Sequence, residues 1–345
     1  MYREGFGVNP FLNNRERRPR AFWRLLFQYV TFSAALRALG GIASAAFVLF
    51  GGTTLGSEAM ANLATPPSFL AVNGGATLIA ALLSVWLAGR FFDRRPFSDF
   101  GLRLDKDWWL EFGFGLLLGA LLMTGIFLVE LAAGWVDVIG AFETTREGAP
   151  FFPTILAPLV LFICVGTYEE LVSRGYQIRN IAEGLNFPGV GPRRAVVLAW
   201  VLSSSLFGLQ HLANPNASVV SSFNITFAGL LLGIGYVLTG RLAIPIGLHI
   251  TWNFFQGSVF GFPVSGLRPI GATFLSVEQG GPSLFTGGIF GPEAGLLGLS
   301  ATVVGSLLIL LWVRTRSGKA TLQTSLAEPP TVAPEQRANA PDAKD

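Results

Sequence analysis

The sequence predicts an all-α membrane protein, a bundle of about eight transmembrane helices around a polar intramembrane cavity. Three observations carry that expectation. Hydrophobic residues make up 51% of the 345 and charged residues only 13%, about half the charged share of a soluble domain. Apolar runs of roughly 20 residues, the length a helix needs to cross about 30 Å of hydrocarbon, recur along the chain. Lys and Arg collect in alternate connections between those runs, the pattern of a polytopic protein with its basic loops on the cytoplasmic side.

Residues 1–37 are read as a polar, Arg-rich cytoplasmic N-terminus followed by an interfacial helix. Within it, Phe22–Leu36 has Arg24 and Gln28 among aromatics and leucines, with Arg37 next, which suits a helix lying along the membrane surface or lengthening the first span. Nothing there resembles a signal-peptide cleavage site. The expected spans are Ala38–Leu55, Phe69–Gly89, Trp109–Ala133, Pro153–Arg174, Ala195–His211, Val219–Thr239, Leu242–Phe262 and Gly295–Val313. They define a transmembrane domain over 38–313. The basic residues test this order: Arg3, Arg15, Arg17, Arg18, Arg20 and Arg24 precede the first span; Arg90, Arg94, Arg95, Arg103 and Lys106 follow the second. Arg174, Arg179, Arg193 and Arg194 follow the fourth, Arg241 the sixth, and Arg314, Arg316 and Lys319 the last. The opposite side receives Arg146 and Arg268. An even number of spans with both termini cytoplasmic, in the plasma (inner) membrane, satisfies this distribution. The Gly- and Pro-rich loop Gly266–Glu293 is expected outside, and residues 314–345 are expected to form a disordered cytoplasmic tail.

This composition excludes several classes. The single cysteine, Cys164, rules out a disulfide framework and a Cys-rich zinc site. A net charge of +3 is accounted for by loop topology, so no nucleic-acid partner is implied; the expected partner at this level is membrane lipid.

Polar and ionisable groups inside spans are costly and usually face a cavity or a partner. Few qualify here. Glu169, Glu170 and Arg174 lie near the end of the fourth span, Phe207 and His211 on the fifth, His249 and Asn253 on the seventh. A single histidine on an apolar helix is more often a packing residue than a catalyst. This chain has two histidines in all, and both fall in these segments beside a Glu-Glu pair and an intramembrane Asn. An interfacial charge cluster would explain Glu169, Glu170 and Arg174 but would leave both histidines without a reason.

Spacing refines the picture. Glu170 and Arg174, four apart, share a helix face and can pair, while Glu169 is turned by about 100° and stays available. His249 and Asn253 share a face in the same way, and Phe207 is placed to pack on His211. Glu169 with His211 can take a proton from water, and His249 with Asn253 can donate to the oxyanion of an attacked amide. Together they suit peptide hydrolysis. A zinc ion held by Glu169, His211 and His249 is the competing account of the same residues, since two histidines and one carboxylate form a catalytic zinc set. The chain lacks HExxH, which ranks water activation without metal slightly ahead.

The motifs "EELVSR" (Glu169–Arg174), "FGLQH" (Phe207–His211) and "HITWN" (His249–Asn253), in that order, resemble EExxxR, FxxxH and HxxxN of the CPBP family of intramembrane proteases. That family includes CAAX prenyl protease type 2 and bacteriocin-processing or immunity proteins. The segment "RRPFSDFGLRL" before the third span is similar to the family's lead-in, and the motif core covers residues 165–255. The resemblance implies that Glu169 activates water beside His211, that His249 and Asn253 are the oxyanion donors, and that Glu170 and Arg174 support them. It leaves metal-dependent and glutamate-dependent mechanisms both open. A non-catalytic immunity or scaffold protein using the same polar core is the alternative, and a proton-coupled transporter ranks lower because no inverted repeat is visible.

One expectation is geometric. With the fourth span ending at Arg174 and the fifth starting at Ala195, Glu169 and His211 fall at different depths and cannot meet. Either the fifth helix starts below the membrane plane or the fourth span is shifted so that Glu169 sits deeper. The cavity is expected to admit water from the cytoplasmic side.

Overall fold

The computed structural model describes residues 9–13, 16–51 and 66–330. Arg3, Arg15, the end of the expected first span and residues 331–345 lie outside the described residues.

The chain is a bundle of antiparallel helices. Helix α1 runs over Ala21–Gly51 and α2 over Pro67–Leu87, extended by a π-helical segment to Asp93. Helix α3 covers Lys106–Ala132, α4 Phe151–Glu170, α5 Arg179–Leu185, α6 Gly191–Gln210, α7 Val219–Thr239, α8 Ala243–Phe254 and α9 Leu296–Ser317. Seven helical stretches among the described residues are long and apolar enough to cross a membrane. The expected seventh span is shorter: α8 with its π-helical end reaches only from Ala243 to Val259. It is also tightly enclosed, since every residue from Leu242 to Ile250 is buried. The protein is a multi-pass membrane bundle.

Glycines explain how α8 reaches the centre. On α3, a Cβ at Gly115 or Gly119 would run into the Ile244 or Leu248 carbonyl of α8, and one at Gly247 would meet the Phe112 carbonyl in return. Small residues four apart let two backbones approach this closely in lipid. The Thr251 hydroxyl donates to the Leu116 carbonyl across the seam (2.8 Å). Gly119→Leu is expected to destabilise the bundle by at least about 1–3 kcal/mol through overpacking. Gly125→Leu, on the same helix with open space around it, is expected to unfold at the wild-type midpoint in detergent.

Three sequence expectations are corrected. Of the two placements open to Phe22–Leu36, it lengthens the first span and is not a separate interfacial helix, because Arg24 and Gln28 are turned inward. Arg24 meets Asp93 (2.8 Å) and Glu183 (2.9 Å), and Gln28 donates to Ser84. The boundary at residue 37 therefore falls inside α1. Next, the chain after Ser317 is not disordered throughout. Leu326 and Ala327 are buried, Asn186 donates to the Ala327 carbonyl, and Gln323 bonds to Val237 and Leu238. Two apolar residues and hydrogen bonds to the main chain hold a segment whose polar composition masks them. Finally, the fourth helix does not stop at Arg174. Through the π-helical segment Leu171–Ile178 and α5 it forms a 35-residue run, Phe151–Leu185, and α6 starts at Gly191. Measured from the turn joining them, Glu169 and His211 then lie about 24 Å and about 30 Å along their helices at roughly 1.5 Å per residue, which brings them to a common depth.

Two connections that look like plain loops pair across the bundle. Strand β1, Val136–Thr144, and strand β2, Ala272–Gln279, form an antiparallel ladder with a bulge between Val138 and Gly140. The second loop therefore folds back over the helices on the side of Arg268. At the other end, Arg18, Arg24 and Arg95 surround Asp93 and Glu183, and Arg241 and Arg316 meet acidic residues at the start of α3. The motif lead-in serves this end: the buried Phe100 packs on Tyr176 (5.4 Å), and the Gly101 carbonyl accepts from Leu242 at the start of α8.

Candidate active site

The site forms where α4, the end of α6 and the middle of α8 meet. Gly166 on α4 lies against the backbone of Ile250, where a Cβ would press on the Ile250 amide. That close approach sets the next turn of α4 beside His249. Immediately after Glu170 the helix widens into its π-helical segment, a feature frequent at functional sites. Neighbouring side chains take up its carbonyls: Ser203 donates to Ser173 (2.7 Å) and Tyr236 to Gly175 (3.3 Å).

Glu170, Arg174 and His249 form one buried cluster. Arg174 Nη1 donates to Glu170 Oε1 (2.9 Å), and His249 Nδ1 donates to the same oxygen (2.8 Å). Glu170 and Arg174 are both 0% exposed. A carboxylate shared by a guanidinium and an imidazole fixes the ring orientation and leaves Nε2 pointing away. That nitrogen lies 3.9 Å from Glu169 Oε2. Glu169 itself is half-buried and accepts from the Tyr168 hydroxyl (3.2 Å). Of the pairing read from spacing, the structure contains both parts, with Glu170 bound to Arg174 and Glu169 turned away from it.

Phe207 occupies the middle of this arrangement. Its ring lies 4.7 Å from His211, 6.2 Å from His249 and 4.3 Å below the Arg174 guanidinium. Cation–π contact of this kind helps a desolvated guanidinium. His211 sits in the first turn after α6, where its Nδ1 donates to the Phe207 carbonyl (2.7 Å). A carbonyl can only accept, so Nδ1 carries the hydrogen and Nε2 of the neutral ring is the acceptor. Asn253 is buried and lines the cavity.

All four residues expected to do chemistry line one cavity. Glu169, His211, His249 and Asn253 share a space of about 840 Å³ between the α1–α2 pair and helices α4, α6 and α8. It runs from Gln28 and Gln177 on the side of the charged cluster to Arg268 and Gly271 in the opposite loop. The expected Glu169–His211 partnership differs in detail. Among the described residues, the imidazole within 4.0 Å of Glu169 is that of His249 and not that of His211. Any proton exchange between Glu169 and His211 therefore passes through water in the shared space.

A zinc centre does not fit the side chains as arranged. Among the described residues no three His, Cys, Asp or Glu side chains are placed to hold a metal ion.

The motifs omit three neighbours of the site. Tyr168 orients Glu169, and its position beside the motif could have drawn notice. Glu293 and Ser265 border His211, His249 and Asn253 in a second, smaller chamber. They come from loops whose Gly- and Pro-rich sequence carries no period, so nothing in the sequence marked them.

A multi-pass helical bundle with a glutamate, two histidines and an asparagine around an internal cavity has the make-up of an intramembrane hydrolase. Comparison with known proteins agrees. Residues 151–255 match the family model described as type II CAAX prenyl endopeptidase Rce1-like, so the resemblance read from the three motifs holds across the segment that contains them. A curated relative, the uncharacterized protein YyaK of Bacillus subtilis (strain 168), is 25% identical over 213 residues, covering 57% of this chain and 67% of that protein. No solved structure matches significantly.

Proposed function

We propose that this protein is an intramembrane endopeptidase that cuts a membrane-associated or lipidated peptide with a water activated by Glu169 and His211. The observation that carries this reading is the convergence of Glu169, His211, His249 and Asn253 on one cavity. A water between Glu169 and the free Nε2 of His211 gives up a proton to one of them, and its oxygen attacks the scissile carbonyl carbon. The oxyanion accepts hydrogen bonds from the Asn253 amide and from His249 Nε2 in its doubly protonated form, whose charge Glu170 offsets. Each such donor is worth about 2.7–4 kcal/mol in soluble enzymes. The C–N bond then breaks and the leaving amine takes the proton back.

The gathering of Arg18, Arg24, Arg95, Arg241 and Arg316 at one end supports a cytoplasmic location for that end. Both termini then face the cytoplasm of a plasma (inner) membrane protein. The test is quantitative proteomics of membranes with and without the protein, using Glu169→Ala as control. A peptide that appears with the wild type and not with Glu169→Ala is the expected result. Equal peptide profiles for the two would favour the non-catalytic scaffold instead.

A further inference from the structure

Three loops interlock beside His211. Glu293 Oε2 accepts the Ser265 backbone N–H (2.6 Å), and the Ser265 hydroxyl donates to both oxygens of the same carboxyl (3.2 and 3.3 Å). The Ser265 carbonyl accepts from Asn214 Nδ2 (3.0 Å), three residues beyond His211. Next to it, the Gly266 carbonyl accepts from Asn216 and the Gly266 amide donates to the Phe290 carbonyl. Gly266 itself has no room for a Cβ, which would meet the Pro215 carbonyl. Ser265 has φ +48°, a conformation a non-glycine residue keeps only where its surroundings enforce it. The carboxyl responsible is 8% exposed. Burial pushes it above the usual carboxylate range, while the Ser265 N–H and nearby His211 oppose that rise.

The chamber behind this latch has a volume of about 40 Å³ and is bordered by Glu293, Ser265, His211, His249 and Asn253. It has room for a water, which needs roughly 10–15 Å³ and two to four polar partners. It adjoins the larger cavity through the residues the two share.

We propose that Glu293, outside the three motifs, is a positioning residue of the hydrolytic site. Through Ser265 and Asn214 it sets the turn that carries His211, so that both imidazoles and Asn253 face one water-sized chamber. This role rests on the protease reading for its catalytic consequence but not for its geometric one. A buried carboxyl with no Lys or Arg partner among the described residues has an unfavourable setting, and hydrogen bonds to the Ser265 turn and to the Gln256 side chain are what it gains there.

The experiment uses the full chain in detergent micelles, with Glu293→Gln, Glu293→Asp and Asn214→Ala. Diethylpyrocarbonate modification of the two histidines, followed by mass spectrometry of their peptides, needs no substrate. Loosening the latch is expected to raise the rate at His211 by about threefold or more, with His249 unchanged. On the Glu169-dependent peptide, Glu293→Gln and Asn214→Ala are expected to lower kcat by about 10- to 100-fold, with KM within about twofold. Glu293→Asp should restore part of that loss at an unchanged thermal midpoint. An unchanged His211 rate in both Glu293→Gln and Asn214→Ala, or equal rises at both histidines, overturns the proposal. Absence of any Glu169-dependent peptide from the wild type would instead sink the protease reading, and the His211 rates would still decide the role of Glu293.

Discussion

Glu169→Gln is expected to lower peptide cleavage by about 10²–10⁴-fold with no change in the amount of protein in the membrane. At about 1.36 kcal/mol per decade, that is roughly 3–5 kcal/mol of barrier. The amide keeps the shape of the side chain and can still accept from Tyr168, so packing is preserved while the basic oxygen is lost. Glu169 is half-buried and makes no salt bridge to Arg or Lys among the described residues, so stability should barely register the change. Cleavage of the peptide identified by proteomics, followed at equal protein levels, decides the matter. Activity within about tenfold of wild type would show that another group takes the proton from water.

Arg174→Met should act in the opposite way, on the fold first. Its guanidinium is fully buried, donates to Glu170 and to the Gly229 carbonyl, and lies over Phe207. Removing it strands the Glu170 carboxylate with only His249 as partner. Breaking a buried pair from one side costs about 3–5 kcal/mol. The double substitution Glu170→Gln/Arg174→Met neutralises both charges and is expected to recover part of that loss in equilibrium unfolding. It should not recover cleavage, because a neutral amide in place of the Glu170 carboxylate cannot offset a protonated His249. A double variant no more stable than Arg174→Met would mean that packing of the guanidinium on Phe207, rather than charge, holds this cluster together.

The contrast between these substitutions follows from exposure. Adjacent residues on one helix, Glu169 and Glu170, have different surroundings because a turn of about 100° separates them. One faces the cavity. The other is sealed between α4 and α8, where an ionised group needs permanent partners.

Much of this protein was legible along the chain. Helices in lipid must satisfy their backbone internally and show apolar surface outward, so long hydrophobic runs reveal spans directly. Polar residues within those runs are costly, so the few that occur mark the candidate site. Glu169, Glu170, Arg174, His211, His249 and Asn253 could all be read in this way, while Phe207 and the Glu170–Arg174 pair were read from a spacing of four.

Tertiary structure alone decided the rest. Whether Arg24 and Gln28 lay on the membrane surface or turned inward depended on Asp93, Glu183 and Ser84, which are far away in sequence. The fourth helix continued past Arg174 because its polar residues found partners on other helices, and that extension brought His211 to the depth of Glu169. Glu293 reached the site from a loop without hydrophobic period, through a hydrogen bond to Ser265. Local pattern determined which segments are buried in lipid, because that cost is set residue by residue. Which polar groups meet inside depended on contacts between distant segments, and no single stretch of sequence contains them.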